Sequence, residues 1–321
     1  MAAVIHTRAP TRIDLGGGWT DVPPYAEEEG GYVCNVAIDR YATASVTPLE
    51  RPDAPAELAL ENLADGILVA AAARRLGVVG VRIQLRNDFP VGAGLGGSSA
   101  ASVALLTALA PYARVDVPAG AAMAELSRRI ETEDLGVAGG RQDHYASVFG
   151  GALGLGFSDG PVAVEQIPIS ATTRAAFESR ATIIYTGESR ISAETIVAVL
   201  EAYRRRSPGV CEALSAMARL AREMRAALAG GDIDGLSLLM AEQWRHQREL
   251  HPAIPTPRID EILLRAREAG ATGGKALGAS GGGCVVLLAP EERVRGVRAA
   301  VAPLGERLDF HLDMDGVRTC P

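Results

Sequence analysis

The sequence of 321 residues has a single lysine, only four cysteines and no long apolar run. No stretch approaches the roughly 20 uninterrupted apolar residues of a membrane-spanning helix, and residues 1–9 lack the apolar centre of a signal peptide. Because the cysteines are far apart and form no C-x-x-C pair, a metal cluster or a disulfide framework is not expected. We therefore expect a cytoplasmic protein that does not bind membranes.

The chain also has a shortage of positive charge. Its formal net charge is −7 at pH 7 and its pI is near 5.4, which argues against nucleic acid as a partner. Apolar residues make up 48% of the chain, so a sizeable core can be buried, and the length allows two domains that share an interface. We expect a small-molecule partner, and a homodimer is compatible with this sequence.

The sequence pattern changes near residues 165–180, and both strands and helices are predicted on each side of this point. This predicts an α+β fold in two parts. We assign residues 1–170 to an N-terminal domain and residues 171–321 to a C-terminal domain. The predicted strands are residues 4–9, 32–46, 81–85, 151–157, 162–167, 182–185, 284–288 and 308–312. The predicted helices are residues 58–76, 100–110, 119–135, 192–206, 209–229, 232–250, 259–270 and 291–301.

Residues 90–101 join a glycine-rich turn to the start of a helix. Glycines allow backbone N–H groups to approach an anion closely, and a helix N-terminus adds unpaired donors and the positive end of its dipole. Two serine hydroxyls at the junction can cap the helix and reach a metal that is bound to the anion. The segment predicts a phosphate-binding loop, formed by Gly92, Gly94, Gly96, Gly97, Ser98 and Ser99.

Two other interpretations of this loop remain open from the residues alone. The spacing Gly92-x-Gly94-x-x-Gly97, with Asp116 roughly 20 residues further on, also satisfies the dinucleotide fingerprint of an NAD-dependent dehydrogenase. The loop could also be a plain turn between a strand and a helix. The Walker pattern is excluded, because no Gly-Lys-Ser or Gly-Lys-Thr occurs.

Acidic residues downstream of the loop are candidates for metal binding and proton transfer. Mg²⁺ prefers hard oxygen ligands, which Ser98 and Glu131 could supply if the predicted helix over residues 119–135 meets the loop. Glu133 and Asp134 compete with Glu131 for this role, and solvated helix charges are an alternative for all three. Asp143 follows a glycine turn and could accept a proton from an acceptor hydroxyl, although a helix cap is an alternative. His144 could itself be the base, although a lone histidine more often has a structural role.

Residues 8–25 contain the side chains of a sugar site. Aspartate accepts hydrogen bonds from hydroxyls, an aromatic ring covers an apolar sugar face, and arginine offers fixed donors. The proline-stiffened turn at the end of this segment could instead be a surface feature without a ligand. Lys275, the only lysine, lies in a second glycine-rich segment, and its compact ammonium predicts a contact with phosphate of the nucleotide or of the sugar. The alternative is a lysine that remains here by chance and has no such role.

Together these segments resemble the motifs of the GHMP kinases, the family of galactokinase, homoserine kinase, mevalonate kinase and phosphomevalonate kinase. Residues 8–21, 90–101 and 274–283 resemble its first, second and third motifs, in the order and near the separations of the family. The resemblance spans nearly the whole chain. It implies an N-terminal domain like domain 2 of ribosomal protein S5, with a left-handed β-α-β crossover. It also implies a ferredoxin-like C-terminal domain and an active site between the two.

The resemblance further implies ATP and Mg²⁺ as cofactors and a role for each matched residue. Ser98 and Glu131 would hold the metal, Asp143 would be the catalytic base, and Arg12 would support Asp143 and the transferring phosphate. The ATP-binding residues would be Pro90, Gly92, Ala93, Gly94, Leu95, Gly96, Gly97, Ser98, Ser99, Gly278, Gly281 and Gly282. The substrate-binding residues would be Arg12, Gly17, Gly18, Trp19, Thr20, Asp21, Tyr25, Asp143, Gly187 and Lys275.

Within the family, residues 17–25 and 185–190 look most like D-glycero-D-manno-heptose 7-phosphate kinases and L-fucokinases. Galactokinases usually carry Gly-Glu-His-Thr-Asp where this chain has residues 17–21. Trp19 is closer to the fucokinases, whereas the chain length and the segment around Lys275 favour the heptose enzymes. The resemblance therefore implies phosphoryl transfer to an anomeric C1 hydroxyl, with the heptose 7-phosphate as the first candidate and L-fucose or another free hexose as the second.

A non-catalytic sugar sensor derived from such a kinase is the last alternative. Loss of a catalytic group is typical of such proteins, and Ser98, Glu131 and Asp143 are all present here.

Overall fold

The computed structural model describes residues 4–59, 63–188 and 193–320. Within them the strands are β1 (Ile5–Gly16), β2 (Tyr32–Pro48), β3 (Glu57–Ala59), β4 (Val81–Asn87), β5 (Ala152–Gly156), β6 (Ala163–Gln166), β7 (Ala181–Tyr185), β8 (Gly273–Ala276), β9 (Cys284–Leu288), β10 (Glu306–Leu308) and β11 (Arg318–Cys320). The α-helices are α1 (Leu63–Leu76), α2 (Gly97–Leu109), α3 (Ala121–Arg129), α4 (Gln142–Phe149), α5 (Ala171–Arg180), α6 (Ala193–Arg204), α7 (Pro208–Gly230), α8 (Ile233–Glu249), α9 (Pro257–Glu268) and α10 (Val294–Val301). The α+β class is confirmed.

The first sheet is built around the long antiparallel hairpin of β1 and β2. Its strand order is β11-β1-β2-β4-β3, and β2 also pairs with β5, which pairs with β6. The register of β1 against β2 shifts between Pro10 and Thr11, where proline has no N–H to donate. The strand predicted over residues 4–9 continues to Gly16, so about half of the expected sugar-site segment, residues 8–25, is a buried strand.

A β-α-β unit lies at one edge of this sheet. β3 and β4 are adjacent and parallel, and α1 connects them. The sequence predicted a helix from residue 58, which is wrong at its start because Glu57–Ala59 forms a strand with exposed side chains. A strand of three residues is too short to show a period of two. Ala100, Ala101 and Ala104 of α2 are fully or almost fully buried, since small side chains let this helix pack closely on β1 and β2.

The second sheet has the strand order β10-β7-β9-β8, with all neighbours antiparallel. Helices connect β7 to β8 and β9 to β10, while β8 and β9 follow each other directly. This is the βαββαβ arrangement of a ferredoxin-like domain, as expected. Strand β8 was not expected, because Gly273 and Gly274 disfavour a strand, and α5 and β11 were not expected either. The strand expected over residues 308–312 instead covers Glu306–Leu308.

The two sheets share contacts through one apolar cluster. It contains Ile13 and Val36 from the first sheet, Ile183 and Val286 from the second, and Met224 of α7 between them, all fully buried. The last strand, β11, also pairs with β1, although it falls in the part of the chain assigned to the C-terminal domain. The division at residue 170 stays a prediction. No helix among the described residues is long and apolar enough to cross a bilayer.

Candidate functional site

Three glycines of the loop between β4 and α2 adopt the left-handed region of backbone conformation. Gly92, Gly94 and Gly96 have φ values of 71°, 73° and 76°, which residues with a Cβ atom rarely adopt. The alternating residues Ala93 and Leu95 are 3% and 1% exposed and anchor the loop. The backbone of the loop therefore bends around open space immediately before the N-terminus of α2.

The open space is a pocket of about 560 Å³, here called the glycine-loop pocket. The loop itself, from Pro90 through Ser99, forms one wall, and Ile67 and Leu68 of α1 add apolar surface. Asp143 and Glu131 also line this pocket. The predicted loop residues therefore meet in one cavity, whereas Gly278, Gly281 and Gly282 do not line it.

Ser98 and Glu131 come together at this pocket. The Ser98 hydroxyl donates a hydrogen bond to Glu131 Oε1 at 3.0 Å. Glu131 lies in a π-helical turn, Ile130–Asp134, that continues α3 and directs this carboxylate toward the loop. The competing acids lie elsewhere, because Glu133 and Asp134 pair with Arg75 of α1.

A buried histidine supports the Glu131 carboxylate. His144 is 1% exposed, and its Nε2 lies 2.9 Å from Glu131 Oε2 while its Nδ1 lies 2.8 Å from the Ser127 hydroxyl. Burial raises the pKa of Glu131, but the bond and charge of His144 and the Ser98 hydroxyl outweigh it and lower that pKa overall. His144 is thus engaged with Glu131 and is directed away from a role as general base.

A second, smaller pocket of about 150 Å³ adjoins the first and is here called the aspartate pocket. Three carboxylates, those of Asp14, Asp21 and Asp143, line it together with Arg12 and Trp19. The remaining lining residues are Gly18, Val22, Gly139, Gly140, Gln142, Ile196, Gly278 and Ala279. Asp143 lines both pockets, so its carboxylate stands where the two cavities meet.

Asp21 closes the N-terminal end of α4. Its Oδ2 accepts hydrogen bonds from the backbone N–H groups of Arg141 at 2.8 Å and Gln142 at 3.0 Å. Gly140 has no side chain because a Cβ there would collide with this carboxylate. Burial, and to a lesser degree the nearby charges of Asp143 and Asp14, raise the pKa of Asp21 to about 6 despite the Gln142 hydrogen bond.

Lys275 does not lie in a loop and does not reach either pocket. It is on strand β8, fully buried, and its ammonium donates to Oδ2 and to the backbone oxygen of Asp14, both at 2.8 Å. The expected contact with phosphate is therefore replaced by an ion pair under the aspartate pocket. Burial lowers the pKa of Lys275, and the charge of Asp14 opposes that shift.

Several other predicted substrate residues lie outside the aspartate pocket. The Thr20 hydroxyl donates to the Gly17 carbonyl oxygen at 2.7 Å and so stabilises the turn. Gly17 is needed for close packing, because a Cβ there would collide with the Tyr32 carbonyl oxygen. Tyr25 packs edge-on against Tyr203, with ring centroids 5.4 Å apart, in a separate surface groove. Only Trp19 supplies an aromatic wall among the residues that line the aspartate pocket.

The second glycine-rich segment supports the loop from behind. Gly278 approaches Gly94 so closely that a Cβ on Gly278 would lie 3.1 Å from Gly94 Cα, and the Cys284 N–H donates to the Ala93 carbonyl oxygen at 2.8 Å. Gly281 and Gly282 line neither pocket. Gly187 lies in an exposed bend, and residues 189 and 190 of the same segment fall outside the described residues.

Asp14 was not among the site residues expected from the sequence, and for His144 a structural role was the alternative to a base. A signal for Asp14 was available, because residues two apart on a strand share a face and Arg12 and Asp14 both lie on β1. No local pattern identifies the partner of His144, since Glu131 is reached only through the packing of α3 against α4.

Comparison with known proteins identifies this arrangement. Residues 62–151 match the model of the GHMP kinases N terminal domain, and residues 224–305 match that of the GHMP kinases C terminal domain. Together the two matches cover more than half of the sequence. The chain belongs to the GHMP kinases, and the dinucleotide-binding interpretation is wrong. Asp116 follows the far end of α2, a helix of 13 residues or about 20 Å, away from the glycine loop.

Several proteins that are similar to this chain are named as kinases of sugars. The chain is 27% identical to the D-glycero-alpha-D-manno-heptose 7-phosphate kinase of Campylobacter jejuni, over 98% of each protein. It is also 27% identical to the bifunctional fucokinase/GDP-fucose pyrophosphorylase of Arabidopsis thaliana, over 95% of this chain but 31% of that protein. The crystal structure of a D-glycero-D-manno-heptose 1-phosphate kinase from Bacteroides thetaiotaomicron shares the fold, with a TM-score of 0.76, 24% identity and 99% of each chain covered.

Proposed function

We propose that this chain is an ATP- and Mg²⁺-dependent kinase that phosphorylates the anomeric C1 hydroxyl of a sugar or sugar phosphate. D-glycero-D-manno-heptose 7-phosphate is the first acceptor to test. The observation that carries the proposal is the position of Asp143 at the junction of the two pockets. Phosphoryl transfer requires the acceptor hydroxyl to meet the γ-phosphate, and a carboxylate at that junction can orient the hydroxyl and take its proton.

The glycine-loop pocket is suited to the triphosphate. Backbone N–H groups at the start of α2 and the dipole of that helix favour an anion next to Ser98 and Ser99. Ile67 and Leu68 add apolar surface that suits a nucleobase. ATP is therefore the donor that this pocket supports.

The donor set at Ser98 and Glu131 fits magnesium. A hydroxyl and a carboxylate are hard oxygen ligands, and phosphate oxygens and water can complete the coordination of Mg²⁺. When bound, the ion would neutralise charge on the transferring phosphate. The part of the chain that the structure describes has no cluster of three or more metal-binding side chains, which suits a metal that is shared with the nucleotide.

Arg12 orients the base. Its Nε donates to Asp143 Oδ1 at 2.8 Å, and a second nitrogen donates to the Gly94 carbonyl oxygen at 2.6 Å. The guanidinium thereby ties Asp143 to the phosphate loop. In the proposed reaction Asp143 holds the acceptor hydroxyl, receives its proton as the new P–O bond forms, and ADP leaves.

A free hexose such as L-fucose is the second candidate acceptor, and Trp19 is the observation that favours it. The indole provides an apolar wall in a pocket that otherwise contains three carboxylates. Fucose has a methyl group that can pack against such a wall and has no charge that these carboxylates would repel.

The test is ADP release measured by a coupled assay on a panel of acceptors. The panel comprises D-glycero-D-manno-heptose 7-phosphate, sedoheptulose 7-phosphate, L-fucose, D-galactose and D-mannose, and NMR locates the new phosphate. We expect turnover with at least one of them and a phosphate on C1. A phosphate on another hydroxyl would contradict the 1-kinase assignment, and no ADP release with any sugar would favour the non-catalytic sensor.

A further inference from the structure

Trp19 adopts a backbone conformation that is costly for a tryptophan. Its φ is 81°, in the left-handed region that favours glycine. The side chain is only 6% exposed. Strain of this kind persists where the side chain has a purpose that offsets it, which directs attention to what the indole contacts.

The indole N–H of Trp19 has no hydrogen-bond partner among the described residues. Nε1 is buried, and Trp19 lines the aspartate pocket. A buried donor without an acceptor is unfavourable, so the pocket offers a hydrogen bond to whatever occupies it. The strain and the unpaired donor are independent observations, and both concern the same side chain.

Asp14 offers the complementary group in the same pocket. It is 1% exposed, its Oδ2 binds Lys275, and its Oδ1 is buried without a partner among the described residues. Gly18 allows this arrangement, because a Cβ there would collide with the Asp14 carboxylate. Lys275 and the turn therefore fix the carboxylate while one oxygen remains available to a donor.

We propose that Trp19 and Asp14 select the acceptor by pairing with two of its oxygens. Asp14 Oδ1 accepts a hydrogen bond from one sugar hydroxyl, and Trp19 Nε1 donates to another sugar oxygen. The aspartate pocket is thus specific for an uncharged, polyhydroxylated part of the acceptor, and a phosphate elsewhere on the sugar lies outside it because the three carboxylates that line the pocket outnumber its one arginine. This inference rests on the proposed function and names the groups that set its specificity.

The chain offers a matched control in its other tryptophan. Trp244 is also 6% exposed and also has an unpartnered Nε1, but it lines a different groove beside Arg248 and Leu263. Since the sequence has two tryptophans, Trp244→Phe leaves Trp19 as the only indole fluorophore, and Trp19→Phe leaves Trp244. Each variant therefore reports on one indole.

The binding experiment titrates both variants with the sugar of the panel that has the highest kcat/KM. We expect Trp244→Phe to keep wild-type turnover and to show a saturable change in emission, because the sugar contacts Trp19. Trp19→Phe should show no such change. Unchanged emission from Trp19 at sugar concentrations that support full turnover would overturn the inference.

The selectivity experiment repeats the kinetics with each monodeoxy analogue of that sugar. With Trp244→Phe, kcat/KM for one analogue should be about tenfold lower than for the parent sugar, as expected for a deleted hydrogen bond. With Trp19→Phe, kcat/KM for that analogue should equal the value for the parent sugar. For a different analogue, kcat/KM should be about 10- to 100-fold lower than for the parent sugar with both variants, because the hydroxyl that it lacks faces the charged Asp14. Asp14→Asn should reduce that second loss. If this variant does not fold, the second loss in the two tryptophan variants still tests Asp14.

The outcomes separate this inference from the proposed function. If no sugar of the panel binds or reacts, the proposed function fails and the inference fails with it. If sugars react but the decrease in kcat/KM for every monodeoxy analogue is the same with both tryptophan variants, the kinase assignment stands and the selection by Trp19 is wrong. If no analogue shows the larger loss, the selection by Asp14 is wrong.

Discussion

Arg12 holds Asp143 against the glycine loop, because its guanidinium contacts Asp143 Oδ1 with two nitrogens and the Gly94 carbonyl oxygen with the third. Its side chain is 3% exposed while that of Asp143 is 26% exposed, so the arginine is sequestered and the carboxylate keeps an open face. The planar guanidinium fixes the direction of that face. This relationship joins the first motif of the chain, on β1, to the residue proposed as the base on α4, and the proposed reaction depends on it.

The metal assignment predicts a selective effect at Glu131. Glu131→Gln should weaken Mn²⁺ binding, measured by electron paramagnetic resonance with a non-hydrolysable ATP analogue, by about tenfold or more because a charged oxygen ligand is lost. Glu133→Gln is the control, since Glu133 lies two residues away and pairs with Arg75. Equal effects of the two substitutions would contradict the assignment.

Substitution of Gly94 should lower the stability of the fold for two separate reasons, its positive φ and the lack of space for a Cβ atom. Its φ is 73°, and a Cβ there would lie 2.6 Å from the Leu277 carbonyl oxygen. Gly94→Ala should lower the free energy of unfolding in urea by about 2–3 kcal/mol. Gly136→Ala has a similar φ of 67° with nothing within 4 Å of its Cβ, so it should cost only about 1 kcal/mol. Similar losses would show that the contact between the glycine segments is unimportant.

Much of this site could be predicted from the sequence, and the failures share a cause. The glycine loop depends on local glycine chemistry, and Ser98 and Glu131 do meet. Lys275 and Tyr25 lie outside both pockets, contrary to expectation, because their surroundings come from distant segments. Lys275 pairs with Asp14, 261 positions away, and Tyr25 packs on Tyr203 of α6. Composition shows that a lysine is unusual but cannot show which buried charge it neutralises.

The buried pair of Lys275 and Asp14 predicts a strong effect on stability. Lys275→Met should lower the free energy of unfolding by about 3–5 kcal/mol, because it leaves a buried carboxylate without its counter-charge. Adding Asp14→Asn removes the remaining charge and should restore part of the loss. Lys275→Arg should also destabilise, since a planar guanidinium does not fit the fully buried position of the ammonium. A Lys275→Met variant as stable as wild type in urea would contradict the pairing.

The raised pKa of Asp21, about 6, predicts two effects of pH. If the ionised carboxylate accepts sugar hydroxyls, the acceptor KM should rise about tenfold per unit as the pH falls below 6, while the KM for ATP stays nearly constant. Asp21→Asn should have a higher acceptor KM without that pH dependence. A pH-dependent rise that persists in Asp21→Asn would assign it to another group.

The same pKa fixes the sign of the effect on stability. Because the folded pKa lies above the ordinary aspartate value of 3.8, the folded chain binds a proton near pH 5 that the unfolded chain has released. The resulting stabilisation is complete below about pH 4 and is lost as the pH rises through 6. Relative to wild type, Asp21→Asn should therefore be more stable at pH 8 than at pH 4, by about 1–3 kcal/mol in urea unfolding.

The most direct test of the central claim compares turnover and nucleotide binding in Asp143→Asn. The substitution keeps the side-chain volume and removes the charge that would take the acceptor proton. We predict that kcat falls by a factor of about 10² to 10⁴ while the dissociation constant of ATP, measured by calorimetry, changes by no more than about threefold. A kcat near that of wild type would contradict the account.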